Sequence, residues 1–254
     1  MHVSIVTILL FEPFANNPQM RKDDFIGNYP SPLPMHDLAT TNFPLLKSYV
    51  QHCRAAIDLM ITHLEVHLQL PIGTLADLHR ITARSGDHVR FNQHAVQPFT
   101  EAAAKLGEHT DFGTLTILFN WLGGLQIRHP ETEEWVYVKP IPGSAVVNLG
   151  DALVKFTAGI LRSNIHRVCP PPPPQDGLTR NSLVYFSRPE DAVVLKRLKG
   201  GLIDAQPVQD GERMEEEMTA QEWTFRRSVG DLKGVFTHKG GLELRKEYDM
   251  DARA

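Results

Sequence analysis

Two imidazoles and a carboxylate, at His109, Asp111 and His166, make a donor set that can hold a ferrous ion from one side. Such a facial arrangement leaves coordination positions open for a cosubstrate and dioxygen. Open positions mean reactivity rather than structural support. In an extended chain residues i and i+2 face the same way, so His109 and Asp111 can reach one ion from one short stretch while Thr110 turns away. The third ligand has to come from another strand, and His166 sits in Ser163-Asn164-Ile165-His166-Arg167-Val168, which reads as extended. A His-x-Asp pair alone is weak evidence, and the spacing to His166 sharpens it. The same ligand types would serve a zinc hydrolase, but no companion general base stands at a telling position.

Arg180 and Ser182 repeat the i, i+2 logic. They put a guanidinium fork and a hydroxyl on one face of a strand, a pairing suited to a carboxylate because Arg binds it bidentately and stays charged when partly buried. Strand parity extends the pocket: if Asn92 points inward, so do Arg90 and His94, and if Ser182 points inward, so do Val184, Phe186 and Arg188. Phe186 is expected as a substrate wall. Arg90 and Arg188 are candidates to pair with an acidic substrate, although Arg188, beside Pro189 at a strand end, reads more simply as a solvated rim residue.

These residues need a scaffold of strands. After Gly86 the chain breaks into short segments rich in β-branched residues and bounded by Gly, Pro or Asn. Strands are expected at 89–96, 114–119, 125–128, 135–138, 145–149, 165–168 and 182–186, which imply a sandwich or barrel. Before them, apolar positions from Leu45 to Val66 recur at spacings of three and four and predict a long amphipathic helix over 43–70, stopped by Pro71-Ile72-Gly73. A short helix capped by Thr74 should follow over 74–80, and His52, His63, His67 and His79 are read as surface or core-edge residues. Thr219 and Glu222 fit a capping box opening a helix through Arg227, with Gly230 beyond its end, packed on the outside. Trp121, Trp135 and Tyr137 are expected to cover a sheet, His129 to lie exposed at a turn, and Asp151 to cap a helix. Segment 12–34 reads as irregular loop, and the apolar run 3–11 as a strand.

Composition narrows the function. The chain has 254 residues, 42% hydrophobic and 22% charged, with a formal net charge of -4, which suits a packed globular protein with no polyanionic partner. Lys and Arg are scattered, arguing against a nucleic-acid surface. The apolar run 3–11 is far shorter than the ~20 residues that span a bilayer, and no Lys or Arg precedes it, so neither a membrane anchor nor a signal peptide is expected. Cys53 and Cys169 are too few for a disulfide framework and read as small buried hydrophobes of a reducing, cytoplasmic setting. One domain is expected over 1–254: an irregular N-terminal segment (1–42), a helical support (43–86), the strand-rich core (87–190), and C-terminal strands and a helix (191–254).

Four stretches, taken together, resemble one family. Gly107-Glu108-His109-Thr110-Asp111-Phe112-Gly113-Thr114-Leu115-Thr116, Asn148-Leu149-Gly150-Asp151, Asn164-Ile165-His166-Arg167-Val168 and Arg180-Asn181-Ser182 occur in the order seen in the Fe(II)/2-oxoglutarate-dependent dioxygenases of the isopenicillin N synthase-like family. The resemblance runs from about residue 89 to 189. It implies a mainly β protein with supporting α-helices, folded as a double-stranded β-helix or jelly roll. It further implies His109, Asp111 and His166 as Fe(II) ligands, Arg180 and Ser182 on the distal carboxylate of 2-oxoglutarate, and O2 as co-reactant. Asn92 falls where the family often has the Asn of an Asn-x-Tyr pair near the cosubstrate, and here His94 replaces the Tyr. Less chain precedes the long helix than is usual in the family. The implied activity couples 2-oxoglutarate decarboxylation to hydroxylation, desaturation or ring closure of a small organic molecule. A 2-oxoglutarate-independent iron oxidase and an inactive jelly-roll binding protein are the alternatives.

Overall fold

The strand-rich region folds into two antiparallel sheets that face one another across the candidate site. The computed structural model describes residues 20–21, 37–96, 106–208 and 217–233. In chain order the strands are β1 (Met20–Arg21), β2 (His88–His94), β3 (Leu106–His109), β4 (Leu115–Asn120), β5 (Leu125–Arg128), β6 (Trp135–Tyr137), β7 (Val146–Leu149), β8 (His166–Val168) and β9 (Arg180–Ser187). The helices are α1 (Asp37–Thr41), α2 (Phe43–His67), α3 (Asp151–Phe156), α4 (Gly201–Asp204) and α5 (Ala220–Lys233). The larger sheet runs β1-β2-β9-β4-β7 and the smaller β3-β8-β5-β6. This is the expected jelly roll with supporting helices.

Alternation along β9 explains the layering. Leu183 and Tyr185 turn to the core beneath α2, where Leu46, Val50, Cys53, Ile57 and Ile61 form the helix's buried stripe. Val184 turns the other way and meets Leu118, Leu125 and Val168, a smaller cluster that joins the two sheets. Arg180, Ser182 and Phe186 share the parity of Val184, so they look into the space between the sheets.

Several details differ from the sequence reading. Helix α2 stops at His67, before Pro71, because the Leu68 N–H closes on Leu64 O and Gln69 takes a left-handed φ of 58°. No helix forms over 74–80 beyond a single tight turn at Ala76–Leu78. The Thr74 hydroxyl bonds back to Pro71 O instead of capping. The buried Glu65 carboxylate takes the cap's place, accepting the N–H groups of Gly73, Leu75 and Ala76 at 3.0, 2.6 and 2.9 Å. His79 is buried rather than peripheral, its Nδ1–H donating to Leu75 O and its Nε2 accepting the Thr114 hydroxyl.

Met20–Arg21 is a strand paired with Val89 and His88, not irregular loop. The expected strand at 3–11 lies outside the described residues. The capping box of Thr219 and Glu222 forms as expected, but α5 continues through Gly230 to Lys233, and its Trp223 and Arg227 are buried in the body of the protein. Trp121, expected on a sheet, is 72% exposed. His129 holds its turn together, with Nδ1 accepting the N–H groups of Glu131 and Thr132. Among the described residues no helix is long and apolar enough to cross a membrane.

Candidate metal and cosubstrate site

His109 is the last residue of β3 and lies opposite His166, the first of β8, across a ladder whose register shifts between Leu106 and His109. The pairing brings the two rings to 4.3 Å between centroids at 61°. Asp111 follows after the chain has left the sheet, so strand alternation alone does not aim it. The turn does: the Asp151 and Ala152 N–H groups at the start of α3 bond to Asp111 O and Gly113 O at 2.8 and 3.0 Å. Glycine is required where these segments meet. A Cβ on Gly150 would lie 2.2 Å from Gly113 O, and one on Gly113 would lie 2.3 Å from Ser187 O. One side-chain donor atom from each of His109, Asp111 and His166 falls within 4.8 Å of the others.

The three side chains are oriented from behind. His109 Nδ1 and His166 Nδ1 each donate to a carbonyl two residues upstream, Gly107 O and Asn164 O, both at 2.9 Å. A carbonyl can only accept, so each neutral ring carries its proton on Nδ1 and its lone pair on Nε2. Asp111 Oδ2 accepts the Thr116 hydroxyl at 2.6 Å and Asn148 Nδ2 at 2.7 Å. Its other oxygen, Oδ1, lies 3.9 Å from His166 Nε2. Thr116 and Asn148 are cross-strand partners of β4 and β7, so a single ladder position supplies both donors. Burial pushes the Asp111 carboxyl above its ordinary pKa, while His109, Thr116 and Asn148 pull it back.

Thr110 turns away from the trio into a buried polar network. Its hydroxyl donates to Asp151 Oδ2 at 2.9 Å, which also receives Arg227 Nη1 at 3.0 Å, while Ser163 Oγ donates to Asp151 Oδ1 at 2.5 Å. Asp151 is therefore the centre of this network rather than a helix cap, a position Gly150 occupies. The Arg227 guanidinium lies over the Phe112 and Trp223 rings at 4.5 and 5.2 Å.

A second polar patch lies on the inner face of β2 and β9, where Asn92 pairs in register with Ser182 and His94 with Arg180. All four are buried. Ser182 Oγ accepts Asn92 Nδ2 at 3.1 Å and Arg180 Nη1 at 3.3 Å, and Arg180 Nε donates to Gly123 O at 2.9 Å. Arg180 Nη2 and Asn92 Oδ1 have no hydrogen-bond partner among the described residues. Burial lowers the Arg180 pKa to about 10.

Further along the same face, His88 stacks on Phe186 with centroids 4.6 Å apart and planes 15° from parallel, and Arg90 Cζ lies 5.1 Å above that ring. Arg188 is not a solvated rim residue. It is partly buried, and its side chain runs between Gly113 and Gly86, where added Cβ atoms would come 3.0 Å from its Cγ and 2.8 Å from its Cδ. Burial lowers both Arg90 and Arg188 to about 10. Thr116, Asn148, Asp151 and Arg227 escaped the sequence reading as site residues, because their roles depend on strand register and on a distant helix. His88 was within reach of the same parity that selected Arg90.

Residues 85–189 match the 2OG-Fe(II) oxygenase superfamily, the stretch that contains every site residue expected from the sequence. The 2-oxoglutarate-dependent dioxygenase iboH of Amanita muscaria is 30% identical over 204 residues, covering 80% of this chain and 95% of that protein. The chain belongs to the 2OG-Fe(II) oxygenase superfamily. The superfamily's cofactors are Fe(II) and 2-oxoglutarate. Among other superfamily relatives, a 2-oxoglutarate-dependent dioxygenase of Aspergillus fumigatus is 30% identical over 79% of this chain and 57% of its own length. The corresponding protein gloE of Glarea lozoyensis is 39% identical over 67% and 48%. The chain thus spans only about half the length of these two relatives. A full-length Neurospora crassa protein solved with alpha-KG and thymine shares the fold, with a TM-score of 0.63, 24% identity, and coverage of 80% of this chain and 60% of that one.

Proposed function

We propose that this superfamily member is a non-haem iron oxygenase that couples 2-oxoglutarate decarboxylation to oxidation of a small organic molecule, with His109, Asp111 and His166 as the metal ligands. The observation that carries the reading is the orientation of the donors. The carbonyls of Gly107 and Asn164 tie back both Nδ1 atoms, and Thr116 and Asn148 tie back Asp111 Oδ2. That leaves two Nε2 lone pairs and one carboxylate oxygen for a single ion. This set of two imidazoles and one carboxylate fits Fe(II), and it is too small to close the coordination sphere.

The cosubstrate fits the second patch. Arg180 holds a buried positive charge with one amino group lacking a partner among the described residues, and Ser182 and Asn92 stand beside it, so the distal carboxylate of 2-oxoglutarate would complete the guanidinium's hydrogen bonding. Fe(II), when bound, would activate dioxygen as the oxidant, with 2-oxoglutarate supplying two of the electrons on decarboxylation and the substrate the other two. The chain's own residues bind and orient: the histidines present Nε2, the Thr116–Asn148 clamp keeps Asp111 from rotating, and Leu118, Leu125, Val168 and Val184 exclude water between the sheets. The substrate is taken as a small molecule rather than nucleic acid or a membrane surface. Cys53 and Cys169, buried and not joined in a disulfide, fit a reducing, cytoplasmic setting.

An iron oxidase that uses no 2-oxoglutarate would need the same three ligands, but it would leave the buried Arg180 charge without a counter-ion. Incubation of the iron-loaded protein with 2-oxoglutarate and oxygen decides between them. Succinate release is expected. Oxygen consumption without succinate would favour the oxidase, and neither would favour a binding protein.

A further inference from the structure

We infer that Arg90 and Arg188, over the His88–Phe186 stack, form a binding wall for an anionic group of the substrate, so that the enzyme acts on small organic acids. This assignment rests on the iron and 2-oxoglutarate reading above, because it treats these two arginines as surplus to the cosubstrate's needs. One guanidinium, Arg180, suffices for the distal carboxylate of 2-oxoglutarate, and it is already braced by Gly123 O and Ser182. Arg90 stands opposite Val184 in register, beyond Ser182 on the same face, and Phe186 with its partner His88 comes next. The wall is therefore a separate stretch of the same sheet surface.

Three observations make it an anion site rather than a chance grouping of cations. The guanidinium of Arg188 makes no hydrogen bond or ion pair among the described residues, and only its backbone N–H is engaged, by Asp87 Oδ1 at 2.7 Å. Asp87, Asp111 and Asp191 attract the guanidinium without pairing with it, and the other oxygen of Asp87 accepts the Tyr185 hydroxyl and faces Arg54 Nη1 at 3.5 Å. Second, the chain makes room for this side chain: Gly86 stands where a Cβ would come within 3.0 Å of Arg188 Nη1, and Gly113 where one would crowd Cγ. Third, the neighbouring groups are set to tolerate an anion. Arg90 Nη2 donates to His88 Nε2 at 3.4 Å, and His88 Nδ1–H donates to Gly86 O at 3.0 Å, which keeps His88 neutral beside the two guanidinium groups. Burial and the two nearby guanidinium charges lower the His88 pKa well below its ordinary value.

Partly buried like charges repel one another and lose hydration, a cost that a carboxylate bound between them offsets and a neutral ligand does not. Phe186, with His88 stacked on its ring and Arg90 over it, forms an apolar floor to the wall. Thr116, the cross-strand partner of Phe186 in β4, donates to Asp111, so the floor adjoins the metal ligands and puts the bound acid's C–H bonds beside the site of oxidation.

The test uses the Fe(II)- and 2-oxoglutarate-loaded protein without oxygen. Its visible charge-transfer band reports that the cosubstrate stays bound. Benzoate, phenylacetate and hexanoate are titrated against benzamide, phenylacetamide and hexanamide, with binding followed by calorimetry in wild type, Arg90→Gln and Arg188→Gln. The expected result is that acids bind at least tenfold more tightly than their amides, and that each substitution weakens the acids about tenfold or more while the band persists. Acids binding no better than amides, or acid binding indifferent to both substitutions, would overturn the assignment while leaving the cosubstrate reading intact. A wild-type protein that binds iron but shows no band would instead overturn the cosubstrate reading, and this one with it. Should either glutamine variant fail to fold, the wild-type comparison of acid with amide decides alone.

Discussion

Arg227, on the last described helix, donates to Asp151 at 3.0 Å with both side chains almost wholly shielded from solvent. Asp151 opens α3, and its backbone N–H bonds to Asp111 O while its carboxylate receives Thr110. The C-terminal helix is thereby connected to the two-residue step between His109 and Asp111. A rigid brace of this kind behind metal ligands preserves their mutual geometry when no ion is bound.

Replacing Arg227 by Met removes one partner of a buried ion pair and leaves Asp151 charged in a dry site. The expected loss of stability is about 3–5 kcal/mol, measured by chemical denaturation. An unchanged denaturation midpoint would show that the pair carries no such role.

The clamp on Asp111 Oδ2 predicts a metal-binding effect without a change of ligand. Asn148→Ala and Thr116→Val each delete one hydrogen bond to the carboxylate and should weaken Fe(II) binding roughly 10- to 100-fold. Chelator competition measures this directly, and wild-type affinity in both variants would remove the clamp from the account.

His79 predicts a pH dependence. Burial holds its pKa down at about 4 from an ordinary 6.5, so the folded protein keeps it neutral where the unfolded chain takes up a proton. The unfolded state then binds more protons between those values, and the His79 contribution is complete above pH 6.5 and declines as the pH falls towards 4. The loss over this window is on the order of 3 kcal/mol. His79→Gln should flatten the slope of stability against pH between 6.5 and 4, and an unaltered slope would assign the dependence to other groups.

What the sequence made legible were the features with short periods. Alternation in β9 sorted Ser182, Val184 and Phe186 from Leu183 and Tyr185, and the three- and four-residue spacing exposed the Leu46-to-Ile61 stripe of α2. The proposed metal trio could be picked out because His109 and Asp111 are only two residues apart, even though the strand ends between them and a turn on Gly113 and Gly150 does the aiming. Roles set by register or by distant chain were not legible. Asn148 reaches Asp111 because β7 pairs with β4 at Thr116, and Arg227 reaches Asp151 from 76 residues away. Arg188 looked like a rim residue because Pro189 follows it, whereas the two glycines that let it fold inward lie at 86 and 113. Over 74–80 only the tight turn Ala76–Leu78 forms, and Glu65, ten residues before Leu75, rather than Thr74 accepts the N–H groups of Leu75 and Ala76.

The central claim is that His109, Asp111 and His166 hold Fe(II) next to a 2-oxoglutarate site anchored by Arg180. Anaerobic titration of the Fe(II)-loaded protein with 2-oxoglutarate tests it most directly, with Arg180→Ala and the single alanine variants of the three ligands measured alongside. The wild type is expected to develop a visible charge-transfer band that saturates, that demands much higher 2-oxoglutarate in Arg180→Ala, and that is absent from the ligand variants. A wild-type protein that binds iron without developing the band, or an Arg180→Ala variant that titrates like wild type, would contradict it.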